Sequence, residues 1–485
     1  MSLTKVTFSM ISGAAVNVLD YIPKTEHSAI INGTSTYDCY SAIQAAINVA
    51  LQGYVRTIGS SGGSFPAIQT CVKFPSGVYN TSQTIEVNSN YASCVIEGIG
   101  NACIQYTGGA GSCVIVYDND PTIGIITTAV TIRNLMIRKA DKLAGTVGMT
   151  VLRVSNCLFE GLSFYGFDYA IQNLGGISNI YDFKNRAIEY CNVGMLIEQS
   201  TSPSPSNAIV KPNLVVIKNG IFINTSNVSV LIRRNPDESL TNNGSGGVIS
   251  IEDTNFQGGG NFGISAEWLG EVPSAGVLSI DRCWFEGSGT RSISLQKGTL
   301  SMNNCFIVQS PILLYDTAAY LDLNYVRAYF SATPTANALI SRYDTTTNGL
   351  NQQVNSRGCL INQDGISTVY LTAGNTAKNT QLIANYLQSD LFQTQSGNTG
   401  GIAGSGTFDI LNLNAGGMWI VMIQQTDSGI VWRGVYTIIS SGITVNITTL
   451  SQNNITLTNP SAAVVRVTNT SGSTIDLYWS AVRVG

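Results

Sequence analysis

Apolar and polar positions recur in a fixed order through the middle of the chain: an apolar residue, two polar residues, then an apolar–x–apolar alternation. Seven segments overlay on this order: TIRNLMI from Thr131, RVSNCLF from Arg153, AIEYCNV from Ala187, VIKNGIF from Val216, SIEDTNF from Ser250, SIDRCWF from Ser279 and SMNNCFI from Ser301. Their fifth residues are Leu135, Cys157, Cys191, Gly220, Thr254, Cys283 and Cys305, spaced by 22, 34, 29, 34, 29 and 22 residues. Repeats of this length are units of a solenoid, in which each unit buries its apolar face against its neighbours. Within a unit the alternation predicts two short strands meeting at a tight bend. The fourth residue is Asn in four units (Asn134, Asn156, Asn219, Asn304), a residue type that tolerates left-handed backbone angles. A column of such residues predicts amide-to-amide hydrogen bonds from coil to coil. The fold class is all-β: a right-handed parallel β-helix.

The two ends read differently. Near the N-terminus, Thr36 or Asp38 is placed to cap a helix in which Ile43, Ala46, Ile47 and Ala50 share one face. That face is suited to covering the open end of the solenoid, where strand edges would otherwise stand unpaired. After Leu321–Tyr325 the repeat fades, and SGNTGGIAGSG precedes alternating segments such as MWIVMIQQ, GVYTIIS, ITLTN and IDLYWSAVRV. Short strands divided by Ser/Gly/Asn turns predict a β-sandwich. The expected organisation is an N-terminal segment over 1–20, a first strand and capping helix over 21–90, the β-helix over 91–333, a connecting region over 334–406 and the sandwich over 407–485.

Composition narrows the function. Charged residues make up 11% of the chain, net charge is −4 and no basic run marks a nucleic-acid surface. No apolar stretch is long enough to span a bilayer, and MSLTKVTFSM lacks the charged and apolar regions of a signal peptide. These features predict folding in the cytoplasm. Cys157, Cys191, Cys283 and Cys305 are expected as free thiols in one inward column, with Cys157/Cys191 and Cys283/Cys305 as neighbours.

The opening motifs carry a resemblance. Val16-Asn17-Val18-Leu19-Asp20-Tyr21, then Asp38-Cys39-Tyr40-Ser41-Ala42-Ile43-Gln44-Ala45-Ala46-Ile47, then Phe74-Pro75-Ser76-Gly77-Val78-Tyr79 resemble the start of bacteriophage tailspike depolymerases with a pectate-lyase-like β-helix. One departure stands out: IPKTEHSAIINGTST (22–36) replaces the short glycine-rich turn usual there. The resemblance implies a homotrimer in the virion tail, joined to other tail proteins through its N-terminus. It further implies degradation of a bacterial surface polysaccharide, capsule or O-antigen, and a terminal domain that holds chains together.

The chemistry has few candidates. His27 is the only histidine, and no HExxH, CxxC, P-loop or G-x-S-x-G motif is present, so no metal or cofactor is expected. Hydrolysis of a glycan then needs two carboxylates, one to protonate the leaving oxygen and one to activate water or attack carbon. The third repeat position forms an outward column of Arg133, Ser155, Glu189, Lys218, Glu252, Asp281 and Asn303. Glu252 and Asp281 are neighbours there, and like charges so close favour one protonated acid. The same column also reads as a surface ladder, with Asp253 beside Arg282 as an ion pair.

Long coils place further candidates on loops, at STSPSPS (200–206), RRNPDESLTNNGSGG (233–247) and GGGNFGISAEWLGEVPSAG (258–276). Glu267 and Trp268 sit in the last of these, with Glu271 close by. Trp284 and Glu286 share the outer face of one strand, where an exposed indole suits stacking on sugar rings. Arg233 and Arg234 are placed for substrate binding. The catalytic candidates are Glu252, Glu267, Asp281 and Glu286. A lyase is the alternative, with Arg233-Arg234 neutralising a uronate and Lys218 or Tyr190 as base. A receptor-binding spike without activity is the third reading.

Overall fold

The structure is a computed structural model. It describes residues 15–52, 70–88, 94–117, 126–127, 130–176, 178–201, 209–210, 212–233, 247–267, 276–296, 298–308, 312–314, 319–330, 340–342, 353–357, 360–363, 371–373, 394–403, 406–412, 417–425, 431–440, 445–452, 454–461, 464–471 and 473–484. The chain forms two compact units, one chiefly residues 1–321 and the other chiefly 369–485.

The first unit is a parallel β-helix. Each coil contributes a strand to three successive faces, and every pairing between coils on these faces is parallel. On the first face the register runs Glu97↔Arg133↔Glu160↔Asp182↔Lys218↔Glu252↔Asp281↔Asn303. On the second it runs Gln105↔Arg138↔Tyr165↔Glu189↔Ile223↔Gln257↔Glu286↔Val308. The third face is a separate parallel sheet that includes Thr146–Leu152, Tyr169–Leu174, Val193–Glu198, Val228–Arg233, Phe262–Ala266 and Arg291–Leu295.

Left-handed residues make the corners. Asn134, Asn219, Asp253, Arg282, Asn304 and Tyr325 have φ between 48° and 58° and turn the chain from the first face to the second. Two of the seven overlaid segments belong elsewhere. In RVSNCLF the left-handed residues are Arg153 and Asn156, both ahead of the first face, and the residue matching Asn134 is Gly161. In AIEYCNV the left-handed residue is Tyr190, where the chain turns from the second face to the third. A left-handed residue followed by a buried one recurs at more than one corner, so a short window cannot tell one from another. The shared corner runs through Leu135, Leu162, Gly220, Thr254, Cys283 and Cys305, with the exposed Arg186 as register partner of Gly220. Ser155 and Glu189 leave the first-face column, and Glu160 and Asp182 replace them.

The interior is built from two matched columns. On the second face Phe164, Ile188, Phe222, Phe256 and Phe285 point inward, with Phe222–Phe256 and Phe256–Phe285 stacked at 5.2 and 4.7 Å. Opposite them on the third face are Gly148, Ala170, Gly194, Ser229, Gly263 and Ser292, all small. A Cβ at Gly194 would lie 2.7 Å from the Phe222 ring, and one at Gly263 would lie 2.7 Å from the Ser292 carbonyl. The rings therefore fill space that only small residues leave, which is how a narrow solenoid reaches interior packing density.

At the left-handed corner Asn219 Nδ2 donates to Asp182 Oδ1 (2.9 Å), and further side-chain amide bonds lie two positions before the small column. Asn192 Nδ2 donates to Asp168 Oδ1 (2.9 Å), and Asn261 Nδ2 donates to Asn227 Oδ1 (3.0 Å). The nine described cysteines are free. Cys283 and Cys305 are neighbours as expected, whereas Cys157 and Cys191 sit at different corners.

At the N-terminal end, helix α1 (Lys24–Ile31) occupies the segment that replaces the glycine-rich turn. Helix α2 (Tyr40–Gln52) follows, and Asp38 Oδ1 accepts the Tyr40 N–H at 3.1 Å. Ala42, Ile43, Ala46, Ile47 and Ala50 are buried, as the helical spacing predicts, and α2 packs on the strands Val16–Asn17, Thr70–Phe74 and Ile85–Asn88. The second unit contains an antiparallel sheet of five strands and another of three. Trp419, Val421, Tyr436, Ile438, Val467, Leu477 and Trp479 belong to one core between them, which makes a β-sandwich.

Candidate functional site

The four predicted carboxylates fall in three places. Glu252 and Asp281 are register partners on the first face. Their row mixes acidic and basic residues, with ion pairs Arg133–Glu97 at 3.0 Å and Lys218–Asp182 at 3.6 Å. Arg282 completes it, donating to both oxygens of Asp253 at 2.7 and 2.8 Å and pairing with Asp281. Ser250 Oγ donates to Glu252 Oε1 at 2.8 Å. Arg282 thus sets a counter-charge beside Asp281.

Glu286 lies around the corner on the second face. Trp284 Nε1 donates to Glu286 Oε2 at 3.1 Å, and the indole, 42% exposed, tilts over Phe306 at 4.4 Å between ring centres. Packing on Phe306 fixes the ring while leaving one side to solvent. This is a flat amphipathic surface of the kind sugars stack on.

Glu267 and Arg233 stand at the far end of the third face, where the long insertions leave the coil. Here the structure adds a residue that the sequence reading missed. Arg233 is the register partner of Glu198, and its Nε donates to Glu198 Oε2 at 2.6 Å. Ile232 pairs with Ala266, so Glu267 follows Arg233 in the same column. Arg233 thus stands between two carboxylates, one in each adjacent coil. Burial raises the carboxyl pKa of Glu267 and Arg233 opposes it, with burial the larger effect. The Arg233 guanidinium is held above its usual value by its hydrogen bond to Glu198, against the opposing effect of burial. Arg234, Trp268 and Glu271 lie outside the described residues.

A signal for Glu198 exists in the sequence. NVGMLIE (192–198), NVSVLIR (227–233), NFGISAE (261–267) and TRSISLQ (290–296) overlay from their first residue, and their last is Glu198, Arg233, Glu267 and Gln296. This repeat marks the third face, as the first overlay marks the corner before the second.

A groove of about 430 Å³ opens on the second face at Gln105, Arg138, Tyr165 and Glu189. Among the described residues no group of three or more His, Cys, Asp or Glu is placed to hold a metal ion, and no helix is long and apolar enough to cross a membrane.

The fold and these surfaces define the protein as a parallel β-helix with outward polar rows and a β-sandwich unit. No family model matches the chain, and no curated protein does. Solved structures similar to it include phage tailspike proteins. ORF18 of Geobacillus virus E2 is 14% identical over 90% of this chain and 77% of its own, at a TM-score of 0.47. Tailspike gp49 of Acinetobacter baumannii bacteriophage Fri1, a capsular polysaccharide depolymerase, is 12% identical over 98% and 86%, at 0.39. An alginate lyase from a Paenibacillus species is 13% identical over 68% and 96%, also at 0.39. At these scores and identities the likeness carries no argument about activity, and the fold rests on the strand register above.

Proposed function

We propose that the protein binds a bacterial surface polysaccharide, capsule or O-antigen, and cleaves it internally by hydrolysis, with Glu267 as general acid and Glu198 as its partner carboxylate. The observation that supports this reading is the column Glu198–Arg233–Glu267. Two coil steps of about 4.8 Å separate the two backbones by roughly 9.6 Å, and inverting enzymes hold their carboxyl groups roughly 6.5–9.5 Å apart to admit a water molecule. In the reaction Glu267 gives its proton to the glycosidic oxygen as the bond to the anomeric carbon breaks. A water attacks that carbon from the opposite side, and its proton passes to Glu198. The raised pKa of Glu267 suits a donor that must carry a proton near neutral pH.

Trp284 and Glu286 then serve as a sugar contact away from the cleavage point, and Glu252 and Asp281 as part of the charged row. The same reading includes a homotrimer carried on the virion tail, attached through its N-terminal segment, with α2 covering the end of the solenoid. In a lyase reading Arg233 would neutralise a uronate.

Incubation with a panel of bacterial surface polysaccharides, read by mass spectrometry, tests the proposal. Oligosaccharides heavier by one water per cut support hydrolysis. Unsaturated products select the lyase, and a polymer that binds without being cut removes the enzyme reading.

A further inference from the structure

The groove on the second face lies apart from the column Glu198–Arg233–Glu267. Its row is Gln105, Arg138, Tyr165 and Glu189, with Met136 and Ser163 in the row beside it. Arg138 is held in place by its neighbour: Nε and Nη2 both donate to Gln105 Oε1, at 2.9 and 2.6 Å. A guanidinium has five N–H donors, so this clamp fixes the plane and leaves donors free. Among the described residues Arg138 has no carboxylate partner, nor does Glu189 have a cationic one.

The other wall is aromatic. Tyr165 stacks on Tyr190 with ring centres 5.5 Å apart and planes 20° from parallel, and Lys142 Nζ sits 4.7 Å from the centre of the Tyr190 ring. Both rings are exposed, at 38% and 47%. Tyr190 is the left-handed corner residue, φ 55°, a conformation disfavoured for a bulky side chain. Between the walls Ser163 is 8% exposed, and its hydroxyl is buried with no hydrogen-bond partner. An unpaired hydroxyl in the lining of a groove is a polar contact awaiting a ligand.

We propose that this groove binds an acidic sugar residue of a glycan, its ring on the open face of Tyr165 and its carboxylate on Arg138. That ring, backed on its other side by Tyr190, suits the flat C–H face of a pyranose. The pre-oriented guanidinium matches a carboxylate. Glu189 and the Ser163 hydroxyl are placed to engage ring hydroxyls. The site is separate from Glu198–Arg233–Glu267, because the strand Val193–Glu198 spans about 20 Å at 3.3 Å per residue. Binding here needs no cleavage and stands whether or not the hydrolase reading holds.

The test is calorimetric titration of the full chain with glucuronate-, galacturonate- and sialate-containing tetrasaccharides, each beside its carboxyl-reduced counterpart. Binding by at least one acidic member, tenfold or more weaker for its reduced form, is expected. R138Q should bring the acidic ligand down to the affinity of the reduced one, and Y165A should weaken both forms. Equal affinity for acidic and reduced forms, unchanged binding by R138Q in a protein of wild-type melting temperature, or no binding across the panel would each overturn the proposal.

Discussion

Arg233 donates to Glu198 across one coil step, Nε to Oε2 at 2.6 Å, and Glu267 follows in the next coil of the same column. A side chain that holds one carboxylate and faces another gives the two acids different surroundings. One is ion-paired. The other is raised by burial. Acid–base pairs are recognised by such a difference.

Replacing Glu267 with Gln should lower kcat by about 10²- to 10⁴-fold while leaving glycan affinity unchanged. The pH profile adds a second readout. A raised carboxyl pKa keeps Glu267 protonated to higher pH, so its contribution as an acid is present below that pKa and lost as pH rises through it. The alkaline limb of kcat in the wild type should therefore be absent from the residual activity of E267Q.

Trp284 should act on binding alone. Trp284→Ala removes the exposed indole and the partner of Glu286, and the expected result is a KM about tenfold higher with kcat unchanged, since stacking contacts are worth roughly 0.5–1.5 kcal/mol beyond area burial. A loss confined to kcat would place the indole at the reacting bond instead.

The interior columns set stability. Phe256→Ala should cost about 3–5 kcal/mol. Gly263→Val should also destabilise, because any Cβ there meets the Ser292 carbonyl at 2.7 Å. Denaturant midpoints of the two variants check this, and a stable Gly263→Val protein would mean that the third face can shift away from the phenylalanine column.

At the corner, Asn304 has φ 53°. Asn304→Val forces a β-branched residue into a left-handed conformation and should cost about 1–2 kcal/mol, whereas Asn304→Gly should be near neutral. Thermal melts of the two variants, read side by side, separate a backbone requirement from a side-chain one.

Thiol chemistry reports the packing. Burial pushes Cys191 and Cys103 up to about 11, and Cys94 up to about 12, while Cys71 is only half-buried. At pH 8 a thiol reagent should modify Cys71 first among the described cysteines, and these three should react only on unfolding.

Much of this was legible in the sequence because it depends on local preference. Asn at 134, 219 and 304 marks the left-handed corner, since few other residues enter that conformation cheaply. Ile43, Ala46, Ile47 and Ala50 mark a buried helix face by spacing alone. Which corner a motif occupies is not local. RVSNCLF and AIEYCNV carry the same apolar and polar order as TIRNLMI, yet hydrogen bonds over whole coils place them at other corners, and Glu189 moves with them to the second face.

The candidate site divides in the same way. Sequence periodicity by itself determined that this chain is a solenoid with outward polar rows, and that Glu252 neighbours Asp281, because strands one coil apart stack in register. Only the tertiary structure decided that Glu198, Arg233 and Glu267 form one column, that Arg282 compensates Asp281, and that Arg138 faces Tyr165 and Glu189 across a groove. Apart from Arg282 and Asp281, which adjoin in the chain, the neighbours in these columns are 24 to 35 positions apart, a spacing that varies from coil to coil. Insertions change the count without changing the stack, so the register of backbone hydrogen bonds, and not the distance along the chain, sets which side chains meet.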